Sequence, residues 1–387
     1  MLTRKVVVLS SLVATLLAIT ILPSAQRTTY ADGSPFPTPT GPYKLGTVIR
    51  DWTDPSRSEV IASNPSDKRE LLVQFWYPAD SAVATNGKLA PYMAASDTTL
   101  TNFESEISDS RGISLSLPRD QFAALTTHAV LNAPVANNAQ VYPVLIFSPG
   151  FAASPDMYTV QVEELASHGY IVVTINYPYG SGVTAFPDGR VLLMPPGVSN
   201  SKSLLVWAQD QAFVINQLQA INSNDPDKLF TGRLDVNHIG AFGHSVGAGA
   251  AIKLCSTDNR VAACLSEDSP ALGQLVTTPL TQPFFLIESE NNAGANDPIY
   301  QTAKGKTYSA VFRGFEHDNF ADFSLWPGIG PLAADPTALG KIDPARSFKI
   351  LDTYAIAFFD KFLKGQTTTL LDGASTAYPE VQFQSRN

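Results

Sequence analysis

Charge is scarce in this sequence. Only 16% of its 387 residues are Asp, Glu, Lys or Arg, the net charge is −9, and no basic run is interleaved with aromatics. A chain of that sign is repelled by nucleic acid and by anionic membrane surfaces, so neither is expected as a main partner. Histidine is rarer still, at five residues, and cysteine is limited to two. No period repeats along the chain, which excludes solenoids and propellers. Against these shortages stand 44% hydrophobic residues, enough for a sizeable core and too many for a disordered chain.

The first thirty residues do not read as fold. Arg4 and Lys5 precede an apolar run from Val6 to Leu22, and small residues follow at Ser24 and Ala25 and again at Thr29-Tyr30-Ala31. This is the layout of a cleaved secretory signal peptide over residues 1–31. The apolar run is 17 residues long, short for a spanning helix, and no cysteine at either cut site offers a lipid anchor. The mature chain is therefore expected to be secreted, with no integral membrane span. Cleavage removes Arg4, Lys5 and Arg27 and no acid, leaving 23 basic against 35 acidic residues, near −12. Export also bears on Cys255 and Cys264. An oxidising compartment lets them pair, and the plainer reading makes each a small buried hydrophobe.

Residues 32–41 form a Pro/Thr-rich linker. Beyond it, strand and helix signals alternate. LLVQFWYP (71–78), YPVLIFS (142–148), YIVVTINYP (170–178), HIGAFG (238–243), VAACLSE (261–267), FFLIESE (284–290) and TYSAVFRGF (307–315) predict strands. Helical spacing predicts helices over 158–169, 203–221, 248–255 and about 346–364. Such alternation predicts one α/β domain over 42–365, a mostly parallel central sheet with helices on both faces. A C-terminal tail, 366–387, follows. Residues 86–140 and 179–202, rich in Gly, Pro, Ser and Asn, are expected as insertions over one end of the sheet.

The stretch AFGHSVGAGAAIKL (241–254) sets G-x-S-x-G between a strand and an Ala-rich helix. In that context it is a nucleophile elbow of the α/β-hydrolase fold. The glycines serve a strained turn and close packing, and Ser245 lands at a helix N-terminus, where N–H groups favour a developing negative charge. A serine hydroxyl needs a base, usually histidine. His244 adjoins the serine and should not reach back to its Oγ, His168 adjoins a helix-ending glycine, His238 leads into the elbow strand, and His128 lies in an insertion. His317, in GFEHDNFADF past a late strand, is left as the base. For the acid that orients it, chain order permits Asp268, Glu290 and Asp297. The oxyanion donors are expected at the N–H of Val246, after the nucleophile, and of Phe151 in FSPGFAASPD (147–156). No cofactor and no metal is implied. The loop FPDGRVLLMPPG (186–197), too apolar for an idle surface, is the expected substrate wall.

Taken together, GPYKLG near residue 41, YPVLIFSPGFAA, ASHGYIVVTINYPYGSG, GHSVGAG, LSEDSPALG and GFEHDNFADF resemble the serine-dependent platelet-activating-factor acetylhydrolases, in that family's order over residues 41–325. The resemblance implies that Asp268 is the acid and that Phe151 and Val246 are the oxyanion donors. It further implies metal-free hydrolysis of short or oxidised acyl chains on phospholipids. The expected activity is carboxylic ester hydrolysis on a small-molecule or lipid ester. The rival readings are an extracellular polyesterase or general lipase, and a non-catalytic binding protein on the same fold.

Overall fold

A computed structural model of the chain describes residues 34–386 apart from 62–65, 85, 95, 139 and 273–275. The expected signal segment lies outside the described residues. The first third contains β1 (Leu45–Ser58), β2 (Lys68–Pro78), α1 (Ser81–Ala84), β3 (Leu89–Pro91), α2 (Ser96–Arg111), α3 (Arg119–Ala124) and β4 (Thr126–Leu131). Next come β5 (Tyr142–Ser148), α4 (Thr159–Ser167), β6 (Ile171–Asn176), the small hairpin β7 (Val183–Ala185) and β8 (Val191–Leu193), α5 (Asn200–Ser223) and β9 (Leu234–His244). The remainder is α6 (Val246–Cys255), β10 (Val261–Glu267), β11 (Phe284–Ser289), α7 (Asp297–Thr302), β12 (Thr307–Phe312), α8 (Gly330–Ala333), α9 (Pro344–Leu363) and β13 (Val381–Arg386).

Among the described residues, eleven strands form one sheet in the order β13-β12-β11-β10-β9-β5-β6-β2-β1-β4-β3. From β12 to β6 every neighbouring pair is parallel. Every residue of β5, β6 and β11 is buried, as expected of strands covered on both faces. Period-two alternation divides them between two cores. Leu145, Phe147 and Phe242 face a cluster with Leu165 of α4 and Phe358 of α9. Val144, Ile146 and Ala241 face the other cluster, with Trp207 of α5 and Ile252 of α6. This is the α/β-hydrolase architecture, and it brings the strand C-termini of β5, β9, β10 and β12 to one rim.

The structure departs from the sequence reading at the ends of the sheet. β1 pairs with β2 from Leu45↔Pro78 to Ser58↔Lys68, although its mixed polar composition and internal Pro55 give no clean strand signal. Residues 86–140 are not irregular: they hold α2 and α3, and β4 runs parallel to β1 within the main sheet. The described part of the expected C-terminal tail, 366–386, is no loose end, because β13 pairs antiparallel with β12 and closes that edge of the sheet. The linker is also partly fixed, with Phe36 buried in the α4–α9 core and the Thr40 N–H donating to Glu164.

Candidate active site

Ser245 stands between β9 and α6 with φ 55° and ψ −126°, a conformation that an L-residue holds only where its surroundings impose it. They do so by close approach. A Cβ on Gly243 would lie 2.4 Å from the Ser148 carbonyl oxygen, and one on Gly247 would lie 2.2 Å from those of Ser148 and Pro149. Backbone atoms cannot yield, so glycine is required at both places. The Ser245 N–H is tied to the Glu267 carbonyl at 2.9 Å. The turn therefore lifts the Ser245 hydroxyl to the rim and points the start of α6 at it.

The partners arrive from the next strands. Asp268 follows β10 and His317 lies in the loop beyond β12. His317 Nε2 is 3.0 Å from Ser245 Oγ, and His317 Nδ1 is 2.6 Å from Asp268 Oδ2. The other oxygen of Asp268 accepts the Ser289 N–H at 2.6 Å, so the carboxylate is fixed from both sides. Burial works to raise the Asp268 pKa, but its hydrogen bond to His317, the imidazole charge and the Ser289 N–H hold it below the usual range. Burial works to lower the His317 pKa, and the hydrogen bond and charge of Asp268, aided by Asp318, outweigh it and move it up. The loop is itself fastened: Glu316 and Asn319 cap the turn that carries His317, and Arg111 of α2 pairs with Asp318 at 3.0 Å.

Phe151 borders the cleft on the loop after β5, and Val246 opens α6. Neither N–H has a hydrogen-bond partner among the described residues, as a donor waiting for an oxyanion requires. The loop is held by the Tyr158 hydroxyl, which accepts the Gly150 N–H at 3.1 Å and sits 2.9 Å from His244 Nδ1. His244 does not contact Ser245 Oγ. Its ring lies 4.5 Å from that of His317 and stacks on Phe320, and burial, followed by the charge of His317, keeps it neutral. The remaining acids lie elsewhere. Glu290 accepts the Gly314 N–H, Asp297 begins α7, and Glu267 takes a hydrogen bond from Gln161 in the core. His128, His168 and His238 are each paired with a nearby acid, Glu163, Glu164 and Asp235.

His244, Asp268 and His317 each offer a ligand atom within 4.8 Å of the others. The Asp268 oxygens and both His317 nitrogens are engaged by each other, by Ser289 and by Ser245, so a cation bound by all three residues would have to break that arrangement. The cleft above Ser245 measures about 240 Å³. Its wall is α2, through Asn102, Phe103 and Ile107, and not the loop 186–197. That loop instead supplies the turn and the β8 strand of the β7–β8 hairpin, with Val191 42% and Leu193 50% exposed. Sequence reading passed over α2, although Leu100, Phe103 and Ile107 stand at helical spacing and are buried as that spacing predicts.

Fold and site together define an α/β-hydrolase enzyme, a carboxylic ester hydrolase. The chain belongs to the platelet-activating factor acetylhydrolase, isoform II family, whose model matches residues 29–186 and 214–373. A protein of Arthroderma benhamiae described as "Probable 1-alkyl-2-acetylglycerophosphocholine esterase" is 25% identical over 376 residues, covering 90% of this chain and 93% of that one. Platelet-activating factor acetylhydrolase of Cavia porcellus is 26% identical over 280 residues, 62% of each chain. Among solved structures, a ferulic acid esterase from Streptomyces cinnamoneus superimposes with a TM-score of 0.74 at 26% identity, covering 89% of this chain and 98% of that one.

Proposed function

We propose that the chain is an exported serine esterase that cleaves short acyl esters through an acyl-enzyme intermediate. The observation that carries this reading is the unbroken hydrogen-bonded line from Ser245 Oγ through both nitrogens of His317 to Asp268. Ser245 Oγ attacks the ester carbonyl carbon while His317 Nε2 takes its proton. The oxyanion forms against the N–H groups of Phe151 and Val246, each worth ~10²–10³ in rate. Collapse expels the alcohol, which leaves with the proton from His317. Water then attacks the acyl-enzyme, His317 takes its proton and returns it to Ser245, and the acid departs. Asp268 orients the imidazole and stabilises its charged form throughout.

A cleft of about 240 Å³, below the usual range for drug-sized ligands, suits a short acyl group, as in the acetyl esters named for the family's relatives. Export is supported by the Arg4-Lys5 and apolar-run layout and by the Cys255–Cys264 disulfide, whose Cα atoms lie 6.6 Å apart. Labelling of the purified protein with a fluorophosphonate probe tests the reading. One adduct per chain, on Ser245 and absent from Ser245→Ala, is expected, and an unlabelled folded protein refutes it. The ferulic acid esterase likeness favours a second reading, esters of hydroxylated aromatic acids. Comparing acetyl with feruloyl esters as substrates separates the two.

A further inference from the structure

Phe151, whose N–H is an oxyanion donor in the reading above, lies on the loop between β5 and α4, so the aim of that N–H depends on what fixes its neighbours. On one side, the Ala152 N–H donates to the Gly180 carbonyl at 3.3 Å, and the Ala152 carbonyl accepts the Gly182 N–H at 2.8 Å. Ala152 is held there at φ 62°, a left-handed conformation that an alanine keeps only where its surroundings impose it. On the other side, the Gly150 N–H donates to the Tyr158 hydroxyl at 3.1 Å. The first anchor is backbone on backbone, whereas the second hangs on one side-chain oxygen.

That oxygen is itself held. Tyr158 is 1% exposed, packs its ring on Phe147, and sets its hydroxyl 2.9 Å from Nδ1 of His244. His244 is buried too, and its Nε2 has no hydrogen-bond partner among the described residues. A buried polar atom left unpaired costs stability, so a phenyl ring would fill this place beside Phe320 and His317 without that cost. What the imidazole adds is Nδ1, and Nδ1 faces the hydroxyl that holds the loop. A Cβ on Gly150 would lie 3.0 Å from that hydroxyl, 3.3 Å from Nδ1 and 3.5 Å from the Ser245 Cβ. Loop, hydroxyl, imidazole and nucleophile thus meet at one point, and His244 joins them because it is the residue before Ser245 in the chain.

We propose that Tyr158 and His244 are positioning residues that lock the Phe151 N–H at a fixed distance from Ser245, so that the donor is in place before negative charge develops. Stabilisation of that kind acts on the transition state and not on bound ester. The assignment rests on the esterase reading, and the kinetics of the full chain on short nitrophenyl esters test it. Tyr158→Phe removes the acceptor for the Gly150 N–H and keeps the ring. It should lower kcat about tenfold or more with KM within about twofold of wild type, part of the ~10²–10³ that a whole donor supplies. Affinity for a trifluoromethyl ketone, which forms the tetrahedral oxyanion on Ser245, should fall by the same factor as kcat/KM. The acid limb of the pH–rate profile should stay at its wild-type position, because the hydroxyl acts on the loop and not on His317.

His244→Phe removes Nδ1 and keeps Tyr158. It should show the same split at a smaller size, and the double variant should be hardly worse than Tyr158→Phe alone. Melting temperatures show that each variant is folded, and should one variant not fold, the other carries the same test. An unimpaired Tyr158→Phe enzyme, a loss confined to KM, or a ketone affinity unchanged while kcat falls overturns the proposal. A displaced acid limb would mean that the pair works through His317, and overturns it equally. Fluorophosphonate labelling keeps this failure apart from failure of the esterase reading. A folded wild-type chain that takes no label overturns both, whereas a labelled wild type with an unimpaired Tyr158→Phe variant overturns the positioning role alone.

Discussion

At Ser245 a left-handed φ of 55° is kept although it costs energy, because it aims one hydroxyl at one imidazole. A serine without its base gains little, so the two should fail together. Ser245→Ala and His317→Ala are each expected to lower kcat by ~10⁴ or more, with the double variant hardly worse. Retention of a tenth of the activity by Ser245→Ala would overturn the assignment. Asp268→Asn preserves shape but favours the wrong imidazole tautomer, and should lose at least ~10³ in kcat near neutral pH. Glu290→Gln and Asp297→Asn, which touch neither His317 nor Ser245, should each lose less than about tenfold. The proposed mechanism uses His317 in its neutral form, and its pKa is moved up, so kcat/KM should fall on the acid side from a pH above that of an ordinary histidine. A pH–rate profile checks the sign. The approach of His317 to Ser245 was legible because strand, G-x-S-x-G and helix form one local pattern, and because few histidines had to be eliminated. Asp268 was singled out by its place at the end of the strand after the elbow and by the resemblance, since three carboxyls in chain order look alike until the fold brings one of them to 2.6 Å from His317. The Gly150–Tyr158–His244 bracing was not legible, since its Tyr158–His244 contact joins side chains 86 residues apart in the chain.

At the scale of elements, the apolar runs of β5, β6, β9, β10 and β11 announced themselves, because strands buried on both faces have little choice of composition. Elements at the margins did not. The β1 strand alternates with charge and carries Pro55, and α2 is polar on all but its Leu100, Phe103 and Ile107 face. The loop 186–197 misled through its apolar content, part of which is exposed on the β7–β8 hairpin. The consequence is a changed expectation about specificity. Phe103 borders the Ser245 cleft and packs on Phe323 and Trp326, so α2 sets the depth available to an acyl chain. Phe103→Ala should shift preference along a series of nitrophenyl esters toward longer chains, while trimming residues 186–197 and leaving Val183 in place should leave that preference unchanged. The reverse pattern would return the wall to 186–197.

Across the whole molecule, the parallel centre of the sheet followed from alternation of runs, while its edges depended on pairings between distant segments. The β13 strand joins β12 from the far end of the chain, and no local signal marks it. Long-range packing also sets a pH response that composition hides. Glu267, Asp322 and Asp352 are all buried. Burial pushes Glu267 up to about 8 and the other two well above their usual range. Unfolded, such groups titrate near 4. Between those limits the native chain holds more protons than the unfolded chain, so stability falls as pH rises. Asp268 works in the opposite sense: its folded pKa is depressed, and its contribution is lost as pH falls through that value. The melting temperature should therefore peak at mildly acid pH and decline toward mildly alkaline pH. Glu267→Gln can keep an oxygen for the hydrogen bond from Gln161 and cannot ionise, so it should flatten part of that decline, by an amount on the order of a few kcal/mol at the alkaline end. Thermal melts of both proteins across that range decide the matter. A wild-type melting temperature that holds or rises toward alkaline pH would mean that these acids are ionised and paired in the native state.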